Sequence, residues 1–289
     1  MNPPSSMNVL LILLRISTPS DNRCYRKLTL VAVASVSVIM SGIVKAQVIV
    51  NDNFDTLANG HSRNANGQYS TGSSPSTWWY VNTSTGFSTW ATSSPAATGN
   101  FSGNWIETPF NAGGGNMNDA VSPFSSVKLA NVGDSLTVQF DFRYNGSPNG
   151  GHDRNPEFGF FNGTVPTADM TTLPAITAGY NANAITGESD GSGIVQLNKN
   201  STTLFSDIKL VSASAGTAFD GAYTMNFKLV LTKTAANSTK IDLYLNNVLT
   251  CTATDTSSAN FTYDEFILRA RDLAQIDNFS MTASNSSQK

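Results

Sequence analysis

Charge is scarce in this sequence. Lys, Arg, Asp and Glu make up 13% of the 289 residues, with 17 basic and 20 acidic side chains and a formal net charge of −3. A self-repelling, disordered chain needs more charge and less apolar content than this. Nucleic-acid binding needs a basic patch to meet phosphates, and no run of Lys or Arg supplies one. Histidine is almost missing as well, with His61 and His152 alone, so zinc patterns built from His and Cys are absent. There is no P-loop and no G-x-G-x-x-G phosphate cradle. The polar surface therefore falls to Asn, Ser, Thr and Gly, which suits a neutral glycan better than a polyanion.

Cysteine is equally thin, with Cys24 and Cys251 only. Cys24 stands ahead of a segment that reads as an export signal, so the folded part keeps Cys251 in "LTCTAT". That position reads as a small buried hydrophobe, and the fold stands without a disulfide. The export signal consists of a basic stretch (Arg23, Arg26, Lys27), an apolar or small run from Leu28 to Val44, and a small-residue cleavage pattern "VKA". Cleavage there makes Gln47 the mature N-terminus; an uncleaved anchor is the alternative, although the run is short against the roughly 20 residues of a spanning helix. The expected organisation is an N-terminal extension and signal over 1–46, one domain over 47–284, and a polar tail over 285–289. Export makes the expected location secreted or at the cell surface, with no membrane contact after cleavage.

What is present is a period of two. "DSLTVQFDFRYN" alternates Leu136, Val138, Phe140, Phe142 and Tyr144 with polar neighbours, and "YTMNFKLVLTKT" does the same from Tyr223. "KIDLYLNNVLTCTAT" predicts a hairpin whose turn is Asn246-Asn247, because Asn tolerates positive φ. "QVIVNDNF", "STWWYVN", "GFSTW", "EFGFF", "DEFILRARD" and "QIDNFSMTA" complete the strand set, with helix signals almost absent. Two long polar stretches, Asn59 to Ser76 and Asn111 to Asn118, read as loops. One apolar and one polar face per strand predicts antiparallel sheets, and about a dozen strands predict a single two-sheet sandwich. The folded part opens on "NDNFD" and closes on "QIDNFSM", which predicts that first and last strands lie side by side with Phe54 and Phe279 turned inward.

The order of these pieces resembles the concanavalin A-like jelly roll, in particular bacterial laminin G-like modules. The resemblance rests on the Asp-Phe-rich opening strand, the Trp-containing hairpin, "SLTVQFDF", "FKLVLTKTAANSTKIDLYLNN" and the closing "IDNFSM". Asn247 stands where such modules usually have a turn glycine. The resemblance implies an all-β jelly roll and structural calcium, for which Asp52, Asp55 and Asp277 are the candidate ligands, since clustered carboxylate and amide oxygens suit a hard cation. The competing reading is that these Asx side chains cap their own turns.

Catalytic patterns largely fail. "GESDG" places Ser189 in G-x-S-x-G, but no His follows it to complete a triad. "ESDGS" has Glu188 but puts Ser192 where a second glucanase Glu belongs, and Gly191 and Gly193 predict a poor strand. His152, Asp153, Arg154 and Glu157 gather in "GGHDRNPEFGFF", where His152 with Arg143 or Arg154 could serve a uronate lyase; the alternative is a solvated loop. Sugar binding fits better. Trp78, Trp79, Tyr80, Trp90 and Trp105 offer flat rings, although core packing is the default for any one of them; alternation sends Trp78 and Tyr80 to one face and Trp79 to the other, so one face is core. Asp141, Arg143, Asn226, Lys228, Asp242, Tyr244, Arg269 and Arg271 offer a polar groove on one sheet. The candidate carbohydrate contacts are Trp78, Trp79, Tyr80, Trp90, Arg143, His152, Glu157, Tyr244, Arg269 and Arg271. The expected function is non-catalytic binding of a glycan or cell-surface polysaccharide. The alternatives are an adhesive or structural protein without a glycan, and a jelly-roll lyase or glycosidase.

Overall fold

In the computed structural model, alternation decides which side chains enter the core. Strand β11 (Met225–Ala235) buries Met225, Phe227, Leu229 and Leu231 and leaves the intervening residues half-exposed. Its neighbour β6 (Ser135–Tyr144) buries Leu136, Val138, Phe140 and Phe142 in the same rhythm. The structure describes residues 46–55, 76–81, 91–93, 105–107, 118–144, 156–165, 176–186, 192–200, 202–210, 225–270 and 274–285. All belong to one compact unit, Ser41–Lys289. Among them there is no helix, and so none long and apolar enough to cross a membrane.

Two antiparallel sheets face each other. The first holds β6 and β11 with β1 (Ala46–Asp52), β3 (Ala91–Ser93), β4 (Trp105–Glu107), β12 (Ser238–Leu245), β13 (Val248–Asp255) and β15 (Ala274–Ser284), in the order β13-β12-β11-β6-β15-β4-β3 with β1 also paired to β15. The second holds β2 (Trp79–Val81), β5 (Asn118–Lys128), β7 (Glu157–Gly163), β8 (Ile176–Thr186), β9 (Ser192–Lys199), β10 (Thr202–Leu210) and β14 (Thr262–Ala270), in the order β10-β9-β8-β7-β14-β5-β2. The expected two-sheet sandwich is what forms. Contrary to the glycine-based expectation, Ser192–Lys199 is a strand despite Gly193.

Aromatic rings join the layers. Phe140 of the first sheet meets Phe158 of the second edge-on, with centroids 5.0 Å apart at 84°. Trp78 lies 5.0 Å from Phe279 and 6.2 Å from Phe266. Edge-to-face pairs of this kind add about 0.5–1.5 kcal/mol each beyond the area they bury.

The first and last strands pair as expected, with Ala46 opposite Ser284 and Asp52 opposite Phe279. The repeated Asp-Asn-Phe makes a carboxylate-capped kink in each. Asp52 Oδ1 accepts the Phe54 N–H at 2.8 Å, and Phe54 has φ of 57°. Asp277 Oδ1 accepts the Asn278 N–H at 2.7 Å, and there Asn278 takes the positive φ, 51°. Both kinks deliver a phenylalanine that is fully buried. The Asn246-Asn247 turn also forms, with φ of 50° and 64°, and Cys251 is buried.

Candidate functional site

Directly opposed residues of antiparallel strands share a face. On the seven-stranded sheet, Phe266 and Leu268 face the core, so Glu265, Ile267 and Arg269 face away from it. Register then places Asp119 and Glu157 on either side of Arg269, and Val121 and Gly159 on either side of Ile267. Trp79 continues the second row beyond Val121, and Asn181 continues it beyond Gly159. Neighbouring strands lie about 4.8 Å apart, so each row sets its side chains at that spacing.

Arg269 organises the polar row. Its Nε donates to Asp119 Oδ1 at 2.6 Å and one terminal nitrogen donates to Asp119 Oδ2 at 3.2 Å. The other terminal nitrogen stands 3.5 Å from Glu157 Oε2. The Asn181 amide closes the cluster by donating to Glu157 Oε1. The side chains of Arg269 and Glu157 are 35% and 29% exposed, so both reach solvent, whereas that of Asp119 is 3% exposed and acts from beneath. The hydrogen bonds it donates to Asp119 raise the guanidinium's affinity for its proton. Burial pushes the Glu157 carboxyl above the usual carboxylate range, and Arg269 only partly offsets this. Two glycines shape the floor: a Cβ on Gly159 would run into Asn181 and the Tyr180 carbonyl, and one on Gly179 would run into the Phe161 ring. Phe161 packs with Val121 and Ile267 as a small apolar cluster on this outer face. Beside it, Glu265 is fully buried and neither carboxyl oxygen has a hydrogen-bond partner. Burial, aided by the Asp264 charge, pushes its pKa up to about 7.

The sequence expectations divide. Glu157 and Arg269 are brought together. Trp78 is fully buried in the core and donates its indole N–H to Ser76 Oγ at 2.8 Å, a position that presents no ring face to a ligand. Trp79 is on the outer face but only 5% exposed. Tyr80 sits on β2 opposite Ala120, and Arg143 on β6 opposite Gln275. Tyr244 belongs to the other sheet, where Lys228 Nζ lies 4.1 Å from its ring centroid. The single polar groove is therefore corrected: Asp141, Asn226, Lys228, Asp242 and Tyr244 lie on the eight-stranded sheet, and Arg269 on the seven-stranded one. Trp90, His152, Asp153, Arg154, Arg271, Glu188 and Ser189 lie outside the described residues, as does the Leu28–Val44 run.

Asp52, Asp55 and Asp277, the candidate calcium ligands, each accept local hydrogen bonds. Asp52 Oδ2 accepts the Ser76 N–H and O–H, and Asp55 accepts from the Asn53 amide at 2.7 Å. Among the described residues, no group of three or more Asp, Glu, His or Cys stands at metal-holding spacing. Turn capping, the competing reading, is what Asp52 and Asp277 do. Sequence reasoning missed Asp119, Asn181 and Glu265; Asp119 was hidden beside a stretch read as loop, and Asn181 carries no charge to flag it.

No family model matches the chain, and no curated protein matches it. Among solved structures, it is similar to an endo-1,3-beta-glucanase from Streptomyces sioyaensis, with a TM-score of 0.52 and 11% identity over 83% of this chain and 96% of that one. It is also similar to the acidic lectin of winged bean, with a TM-score of 0.43 and 10% identity over 83% of this chain and 99% of that one. The chain has a concanavalin A-like jelly-roll fold.

Proposed function

We propose that this chain is a secreted, non-catalytic module that binds a glycan on the outer face of its seven-stranded sheet. The observation that carries the reading is the row Asp119–Arg269–Glu157, with Asn181 beside it. Planar carboxylate, guanidinium and amide groups, spaced by strands, match the hydrogen-bonding demands of successive sugar hydroxyls. Binding suits the row better than hydrolysis. Glycoside cleavage needs one carboxyl free to give a proton and another free to attack or activate water. Here Asp119 is held in two hydrogen bonds by the same guanidinium that faces Glu157. The secreted location rests on the signal-like segment ahead of Gln47.

The test is a glycan array with the parent protein and Arg269→Ala, alongside an assay for released reducing ends. The expected result is binding by the parent, a loss of about 10- to 100-fold in the variant, and no product. An array without any hit, or equal binding by a folded Arg269→Ala protein, would overturn the reading.

A further inference from the structure

The balance of charge on this face deepens that reading and rests on it. Consider β14 from Glu265 to Arg269 with its register partners on β5 and β7. This block contains three carboxyl groups, Asp119, Glu157 and Glu265, against one cation, Arg269. The guanidinium is committed to Asp119 through two hydrogen bonds of 2.6 and 3.2 Å. Glu157 receives it only at 3.5 Å and remains 29% exposed. Glu265 is fully enclosed with both oxygens lacking a hydrogen-bond partner. A buried carboxyl without partners is costly as an anion, so Glu265 is met by a proton, and Glu157 is the carboxyl that reaches solvent and can meet a cation.

We propose that the glycan recognised here is an amino sugar chain bearing unacetylated ammonium groups, and that uronate or sulfated chains are rejected. An ammonium is a compact charge with three donors, so it can pair with Glu157 while a neighbouring hydroxyl meets the half-exposed Arg269. A metal ion is a poorer complement, because Ca²⁺ takes six to eight oxygen ligands and no group of three acids or imidazoles at metal-holding spacing occurs among the described residues. An anionic sugar would meet the like charge of Glu157, while the charge of the block's only guanidinium is already balanced by Asp119.

The probes are three tetramers of equal length: glucosamine, N-acetylglucosamine and galacturonate. Calorimetry with the full chain at about pH 6 keeps the amines protonated. The expected result is binding of the glucosamine tetramer at least about tenfold tighter than its acetylated counterpart, with none for galacturonate. That preference should shrink as salt is raised, which requires no variant, and Glu157→Gln should remove it. Equal or tighter binding of the acetylated or uronate tetramer overturns the amino-sugar proposal and leaves a carbohydrate module standing. Failure of all three tetramers overturns the proposal as well. Failure across the whole array removes the carbohydrate reading on which it rests.

Discussion

The Asp52 carboxylate accepts both the backbone N–H and the hydroxyl of Ser76, at 3.2 and 2.5 Å, across 24 residues of chain. The same hydroxyl accepts the Trp78 indole N–H. One buried acid thus ties the end of β1 to the approach to β2 and seats a fully buried tryptophan of the core. Asp52→Ala leaves the Ser76 and Phe54 N–H groups without this acceptor. We expect a loss of about 2–4 kcal/mol, read as a lowered melting temperature. Because the acid acts through hydrogen bonds, the loss should be the same with a chelator present; a loss that disappears in chelator would argue for a metal instead.

Glu265 makes stability depend on pH in a defined direction. Its folded pKa of about 7 lies above its ordinary value of 4.5. Stability linked to this group is fullest below about pH 4.5, falls as pH rises to about 7, and is level beyond. The gap corresponds to roughly 3 kcal/mol. Glu265→Gln has no such decline, so it should exceed the parent in stability at about pH 8 and lose that advantage at about pH 4. Urea titrations of both proteins at the two pH values decide this, and parallel pH profiles would contradict it.

Tyr180 latches the two sheets. Its hydroxyl donates to Asp255 Oδ2 at 2.6 Å and accepts the Asn260 N–H at 3.1 Å, while Lys199 Nζ stands 2.7 Å from the same carboxylate oxygen. Burial pushes the Asp255 carboxyl up, but Lys199, Tyr180 and the Ser257 N–H together hold it below its ordinary 3.8. Its contribution is therefore present above about pH 4 and is lost on further acidification. Tyr180→Phe should cost about 1–3 kcal/mol near neutral pH and move the acid unfolding midpoint upward. An unchanged acid midpoint would mean the hydroxyl does not hold the carboxylate.

The strands legible in sequence were those that pack bulky residues at every second position, such as β6 and β11. Of the strands that the sequence hid, β5, β8 and β9 have physical reasons for it. Strand β5 carries Pro123, which sits opposite Glu265 at a break in register where a missing N–H is tolerated. Strand β8 is rich in Gly, Ala and Asn, which reads as loop, and its Gly179 leaves the space that the Phe161 ring occupies. Strand β9 begins on Ser192-Gly193, which resembles turn chemistry until its pairing with β8 and β10 is known. The site was legible only in parts. Glu157 and Arg269 stood out as charges in a chain poor in them, but the ion pair with Asp119 spans 150 residues, and no local spacing announces it. The tryptophans were visible and misleading, since a ring placed by alternation can as easily fill the core as face solvent.

The pairing of β1 with β15 has a mechanical consequence. Ala46 lies opposite Ser284, so the chain enters and leaves the sheet at the same end of one antiparallel ladder. A pull applied at these two residues would peel the ladder's hydrogen bonds one after another, rather than strain them all in parallel. Drawn by these two residues, the ladder should yield at a lower force than one loaded in shear, where every bond must give way together.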